Sequence, residues 1–329
     1  MKALFIGGTG TISTAITALA PTLGIELYLL NRGNRNKLVP KGVTVINSDI
    51  NNVADVEEKI RDLSFDVVAD FIAFDTEAIK RDVKLFTGRT RQYIFISSAS
   101  AYMKPLPSPY ITESTPLHNP YWEYSRKKAA CEEYLLREFR NNNFPITIVR
   151  PSHTYGSFDV PVAVHGRMGS YSILERILQD KKVIVHGDGT SLWTLTHNTD
   201  FAKAFVGLMG NVHAIGETVH ITSDEILTWN QIYDIIGTAL GKKPNIVHIP
   251  SDTLANEDTE FYGSLLGDKA HSVIFDNSKI KRLVPGFEAT VRFDQGIRRT
   301  LDYIFSHKNL QKSDPDFDIW TERIIEAYK

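Results

Sequence analysis

The chain of 329 residues has a single cysteine, Cys131, so no disulfide can form within it and its fold must rest on a buried apolar core. It has no apolar run near the roughly 20 residues that span a bilayer, and Met1–Ile6 meets glycines before reaching the length of a signal-peptide core. It also lacks an excess of charge. Its 37 lysines and arginines stand against 39 aspartates and glutamates, and a formal net charge of -2 gives no electrostatic ground for a nucleic-acid partner. The ten histidines never fall as H-x-x-H or H-E-x-x-H, so no metal site is expected. Repeats of fixed period and low-complexity segments are missing too. What remains is a cytoplasmic globular protein, long enough for one large α/β domain and a smaller appended region.

What the sequence does have is a rhythm. Short apolar runs at residues 2–6, 25–30, 43–46, 67–72, 93–96 and 146–149 read as buried strands. Between them lie helix-compatible segments, including 12–20, 53–63, 78–86 and 123–139. Alternation of this kind predicts right-handed βαβ units and a doubly wound parallel sheet of Rossmann type. After Arg150-Pro151 the rhythm breaks, with an irregular stretch to about residue 170 and loops at 241–245 and 263–271. The expected division is a nucleotide-binding domain over 1–165, rejoined by segments near 183–225, and a mostly helical substrate region over 166–329.

Gly7-Gly8-Thr9-Gly10-Thr11-Ile12-Ser13 lies between the first expected strand and the first expected helix. Glycine permits the tight turn and close backbone approach that a pyrophosphate needs, and a helix N-terminus offers free N–H groups and partial positive charge. A plain strand-to-helix turn has the same outline. The strand–turn–helix context points instead to a dinucleotide held by Gly7, Thr9, Gly10, Thr11 and Ile12, with Ser13 where a third glycine is usual. At the end of the second strand, where an acid would hold a ribose 2′-hydroxyl, stand Asn31-Arg32-Gly33, with Arg35 close behind. A guanidinium suits a 2′-phosphate, so the expected cofactor is NAD(P), with NADP preferred over NAD.

Tyr124 and Lys128 are four residues apart at the start of a helical run and so share a face. A lysine ammonium beside a phenol favours the phenolate, which suits an acid/base that moves a substrate proton while a hydride moves. A solvated helix face would show the same spacing. Cys131, beside Ala129 and Ala130, reads as a small buried helix residue.

With the glycine loop, Ser98, Tyr124 and Lys128 in place, the chain resembles the extended short-chain dehydrogenase/reductases, which include NAD(P)-dependent sugar epimerases and dehydratases. The resemblance runs from Met1 to about Leu240. It implies Ser98, four before Tyr102, as the hydroxyl that orients the substrate oxygen. It implies Tyr124 as acid/base, and Lys128 as the residue that holds the nicotinamide ribose and lowers the Tyr124 pKa. Asp49-Ile50 resemble an adenine-contacting pair and Phe71-Ile72-Ala73 a nicotinamide-side strand end. The segment from Arg150 to Gly156, with Pro151 and His153, is similar to the one beside the nicotinamide that opens the substrate site.

Ser100, His153 and Trp193 join Ser98 as expected substrate contacts. Ala99-Ser100 replaces the Asp-Glu pair of the family's dehydratases, which speaks against dehydration. His153 and Trp193 stand where sugar-nucleotide enzymes often carry an asparagine and an arginine. The implied reaction is epimerisation or ketone reduction at a secondary alcohol of a sugar, nucleotide sugar or related polyol. A homodimer through the Tyr124 helix is also implied. Leu30 to Gly33 and the run from Gly187 to Gly210 resemble the chloroplast stem-loop-binding branch, so a non-catalytic RNA-binding protein of this fold is the alternative.

Overall fold

The computed structural model describes residues 1–328. Five strands come first in the chain: β1 (Lys2–Ile6), β2 (Glu26–Asn31), β3 (Thr44–Asn47), β4 (Val67–Asp70) and β5 (Tyr93–Ile96). They pair in parallel in the spatial order β3-β2-β1-β4-β5, and Ile146–Pro151 and then Thr218–Ile221 complete a seven-stranded sheet. Leu4, Phe5 and Ile6 are all buried, as are Val67, Val68 and Ala69. Strands covered on both faces have no solvent side, which is why they read as unbroken apolar runs.

Helix α1 (Ser13–Thr22) and the helix Asn198–Leu208 cover one face, packing around Phe5, Phe201 and Phe205. Three helices bring apolar side chains to the other face: α2 (Val53–Lys59), α3 (Thr76–Phe86) and α4 (Glu123–Asn142). There Val56, Phe86 and Leu135 join Val68 and Phe95 in one core. Cys131 lies in that core, fully buried. Helix α4 ends at Asn143, whose φ of 54° is a left-handed stop that asparagine tolerates. Between β1 and β4 the strand order reverses, and the crevice beyond the carboxyl ends of those strands is where an open α/β sheet binds ligands.

The rest of the chain builds a third apolar cluster around Trp229, Ile232, Leu254, Ile297 and Phe317. The stretch expected to be irregular after Pro151 contains a strand, His153–Tyr155, paired with Leu195–His197. Of the segments near 183–225 expected to rejoin the first domain, the strand Lys182–His186 pairs with Asn245–Ile249 rather than with the central sheet. Val183, Ile184 and Val185 are buried in the C-terminal cluster, so the rejoining segment is the later one, Asn198–Leu208 and Thr218–Ile221. Residues expected to form a loop at 263–271 instead form a π-helix, Tyr262–Lys269. Its Gly263 and Gly267 lie four apart against Trp122, where a Cβ on Gly263 would overlap the indole. Among the described residues no helix is long and apolar enough to cross a membrane.

Candidate active site

The glycine loop turns at Gly7 and Gly8, both at φ 101°, in the left-handed region that glycine alone enters without strain. A Cβ on Gly8 would come within 2.7 Å of the Leu29 side chain. The loop is held from behind: Thr17 Oγ1 donates to the Gly8 carbonyl at 2.8 Å, and Asn198 Nδ2 to the Thr11 carbonyl at 2.8 Å. Ser13, in the third-glycine position, is buried and accepts the Gly10 N–H at 3.0 Å. Helix α1 has no side-chain N-cap and no acid in its first turn, so its N-terminal field is left to an external anion.

A cleft of about 910 Å³ runs along the strand ends from this loop. Gly7, Thr9, Gly10, Thr11 and Ile12 line one end, with Asn31, Arg32, Asp49 and Ile50. Phe71, Ile72, Ser98, Tyr124, Lys128, Pro151 and His153 line the other. Arg35, at the mouth, donates from Nη1 to the Thr9 carbonyl at 3.3 Å.

Three devices fix the wall at Tyr124 and Lys128. The Asp70 carboxylate accepts the N–H groups of Ile72 at 2.6 Å and Ala73 at 2.8 Å, setting the turn after β4. Lys128 Nζ donates to the Ala73 and Ile96 carbonyls, each at 2.7 Å, and so ties α4 to two strand ends. One turn further along α4, the buried Glu132 pairs with Arg150 at 2.5 Å and accepts from Ser97. A buried pair with every oxygen engaged holds α4 in register against the sheet, and breaking it would strand a charge.

The electrostatics depart from the expectation that Lys128 holds the Tyr124 phenol low. Burial lifts Tyr124 above its ordinary value; the Ser98 hydroxyl beside it opposes that rise and Asp268 adds to it. Lys128 lies 5.8 Å from the Tyr124 ring centroid, with two of its three protons committed to carbonyls. Burial also lowers Lys128 itself, to about 8, against the smaller opposing pull of Asp70, Cys131 and Glu132. Desolvation therefore dominates both groups.

A second cavity of about 270 Å³ opens off the cleft at Ser98 and Tyr124. Ser100, His153 and Trp193 line it, as do Trp122, Phe275, Asp268 and Lys269. The Trp193 indole N–H donates to His153 Nδ1 at 3.2 Å. An indole nitrogen can only donate, and burial, aided by Lys269 and His165, pushes His153 down to about 3. His153 is thus neutral with its proton on Nε2. The Lys269 carbonyl accepts from Trp229 Nε1 at 3.1 Å and His186 Nε2 at 2.9 Å, which anchors the end of the π-helix.

The model of the NAD dependent epimerase/dehydratase family matches residues 3–222. The chain belongs to this family. Among curated relatives, 2′-dehydrokanamycin reductase of Streptomyces kanamyceticus is 24% identical over 293 residues, spanning 88% of this chain and 80% of that one. The chloroplast stem-loop binding protein of 41 kDa b from Arabidopsis thaliana is 25% identical, over 75% of this chain and 65% of that one. The crystal structure of UDP-glucuronic acid 4-epimerase from Bacillus cereus, in complex with UDP-glucuronic acid and NAD, has the same fold. It superposes with a TM-score of 0.75 at 21% identity, covering 93% of this chain and 99% of that one.

The dinucleotide of this family fits the residues present: a glycine turn that a Cβ would fill, an uncapped helix N-terminus and a long cleft at the strand-order reversal. Of the residues singled out in the sequence as cofactor contacts, Ala73 alone lies off the cleft wall. It is buried, and its carbonyl serves Lys128, while Phe74 takes its place on the wall. Sequence reasoning missed Asp268 and Lys269, because residues 263–271 were read as a loop. The signal that could have found them is the four-residue spacing of Gly263 and Gly267, which marks a helix packed closely on a large side chain.

Proposed function

We propose that the protein is an NADP-preferring oxidoreductase acting at a ketone or secondary alcohol of a sugar-like polyol, with net ketone reduction as its reaction. The observation that carries this reading is the convergence of Ser98, Tyr124 and His153 on the wall shared by the long cleft and the second cavity. A bound nicotinamide supplies or accepts the hydride. Tyr124 gives its proton to the substrate oxygen, and its raised pKa keeps the phenol protonated and ready to do so. Lys128 has one uncommitted proton for a ribose hydroxyl. Ser98 orients the substrate oxygen, and His153 Nε2–H offers a second donor.

The substrate side is small and mixed in character. At about 270 Å³ the cavity lies below the roughly 300–1,000 Å³ of drug-sized pockets and suits a single ring. Trp122, Trp193 and Phe275 offer apolar faces to ring C–H groups, while Asp268 and Lys269 offer one acceptor and one donor for ring substituents. No arginine lines the cavity to clamp a diphosphate. Arg32 and Arg35, in place of an acid, favour a 2′-phosphate, and a phosphorylated cofactor fits net reduction better than a tightly held redox couple that cycles. The likeness to 2′-dehydrokanamycin reductase supports the same choice.

The test is NADPH oxidation with a panel of keto-sugars, beginning with 2′-dehydrokanamycin. Oxidation that stops in Tyr124→Phe is the expected result. Stereochemical inversion without net NADPH consumption would assign epimerisation instead, and no hydride transfer to any keto-sugar would overturn the reading. A second reading, RNA binding, has the stem-loop binding relative behind it. It predicts a salt-sensitive gel shift with structured RNA, and a chain with net charge -2 is expected to give none.

A further inference from the structure

Ser125 follows the acid/base tyrosine in the first turn of α4 and is fully buried, yet nothing in the reaction above uses it. Its hydroxyl donates to Ser100 Oγ at 2.7 Å. Ser100 Oγ in turn pairs with Ser98 Oγ at 2.8 Å. Ser100 has one hydroxyl proton and two lone pairs; Ser125 takes up one lone pair, and the order taken here sends the Ser100 proton to Ser98. The Ser100 backbone N–H also donates to Ser98 Oγ, at 3.2 Å. Both lone pairs of Ser98 are then engaged, and its own proton is its only remaining hydrogen-bonding capacity. Asn119 keeps the arrangement in place by donating from Nδ2 to the Ser100 carbonyl at 2.8 Å and the Gly267 carbonyl at 2.7 Å.

We propose that Ser125 and Ser100 form a hydroxyl relay that makes Ser98 a dedicated donor, aiming its proton at the Tyr124 and substrate oxygens. Ser125 and Ser100 are positioning residues in this scheme, and the inference rests on the roles given to Ser98 and Tyr124 above. The relay has a chemical consequence. A serine free to rotate can either donate or accept, and part of the time it would take a hydrogen bond from the phenol. A serine locked as donor always stabilises negative charge on the oxygens it faces, which is the charge that develops as a ketone is reduced or a phenol gives up its proton. Chained hydroxyls also polarise one another, strengthening the last bond in the series.

The test needs no known substrate. Ultraviolet titration of tyrosinate, taken as each protein minus its own Tyr124→Phe counterpart, isolates the ionisation of Tyr124. Lys128 and Asp268 face the phenol in every variant and cancel in the comparison. Ser98→Ala is expected to move the Tyr124 ionisation to higher pH. Ser125→Ala and Ser100→Ala should move it the same way by less, and Ser125→Thr, which keeps the hydroxyl, should restore it. On any sugar the enzyme turns over, Ser125→Ala should lose about threefold to tenfold in kcat at unchanged KM, the worth of one misdirected neutral hydrogen bond. If Ser98→Ala shifts the titration and neither Ser125→Ala nor Ser100→Ala does, the relay is wrong and the Ser98 role stands. If Ser98→Ala leaves the titration where it was, Ser98 does not donate to Tyr124 and both ideas fall together.

Discussion

The two cavities that meet at Tyr124 are built in different ways. The long cleft offers backbone at one end, through glycines without Cβ atoms, an uncapped helix N-terminus and strand ends from the first half of the chain. The smaller cavity is lined by side chains from five separated segments: Ser98–Ser100, Trp122–Tyr124, Pro151–His153, Trp193, and Asp268–Phe275. Backbone recognition tolerates one local sequence solution, so a family can share it. Side-chain recognition can be rebuilt residue by residue, so specificity collects there.

Substitutions on the two sides should separate cofactor affinity from turnover. The largest expected effect is Tyr124→Phe, which should cost about 2 to 4 decades of kcat while leaving the cofactor Kd in place, as measured by single-turnover kinetics and calorimetry. Next comes Arg32→Ala. Losing a charge-assisted bond worth about 1.5–3 kcal/mol should weaken NADP about tenfold to a hundredfold and leave NAD untouched. Equal weakening of both would remove Arg32 from 2′-phosphate recognition. Gly8→Ala forces a side chain into a positive-φ position against Leu29, and should lower stability by about 1–3 kcal/mol in urea melts, with cofactor affinity falling alongside.

The same contrast explains what could be read in advance. The strands of the central sheet were legible because burial on both faces leaves an apolar signature in sequence, and the glycine loop because few residues survive its geometry. That Tyr124, Lys128 and Ser98 share one cleft was legible from spacing and resemblance together. The direction of the Tyr124 pKa was not, since it depends on how deeply the finished fold buries the phenol rather than on the lysine four residues away. Asp268 and Lys269 were hidden for a related reason. Their helix packs through Gly263 on the Trp122 ring and through Gly267 on the Asn119–Trp122 segment, more than a hundred residues earlier, a contact that only the finished fold makes.

A further expected effect is a pH dependence of stability at Lys128. Lys128 is lowered from 10.5 to about 8 in the folded protein, so between those values the unfolded chain binds the extra proton. Its contribution to stability is therefore fully present above the unfolded value and is lost as pH falls through about 8. Urea melts should show stability rising with pH across that window, and Lys128→Met should flatten the slope. An unchanged slope would mean that Lys128 is not desolvated as the fold implies.

The proposal that the long cleft holds a nicotinamide dinucleotide, the phosphorylated form in preference, has a direct check. It is calorimetric titration of the wild-type protein with NADPH and with NADH. One site per chain is expected for both, with NADPH the tighter; no heat and no thermal stabilisation with either would overturn the proposal.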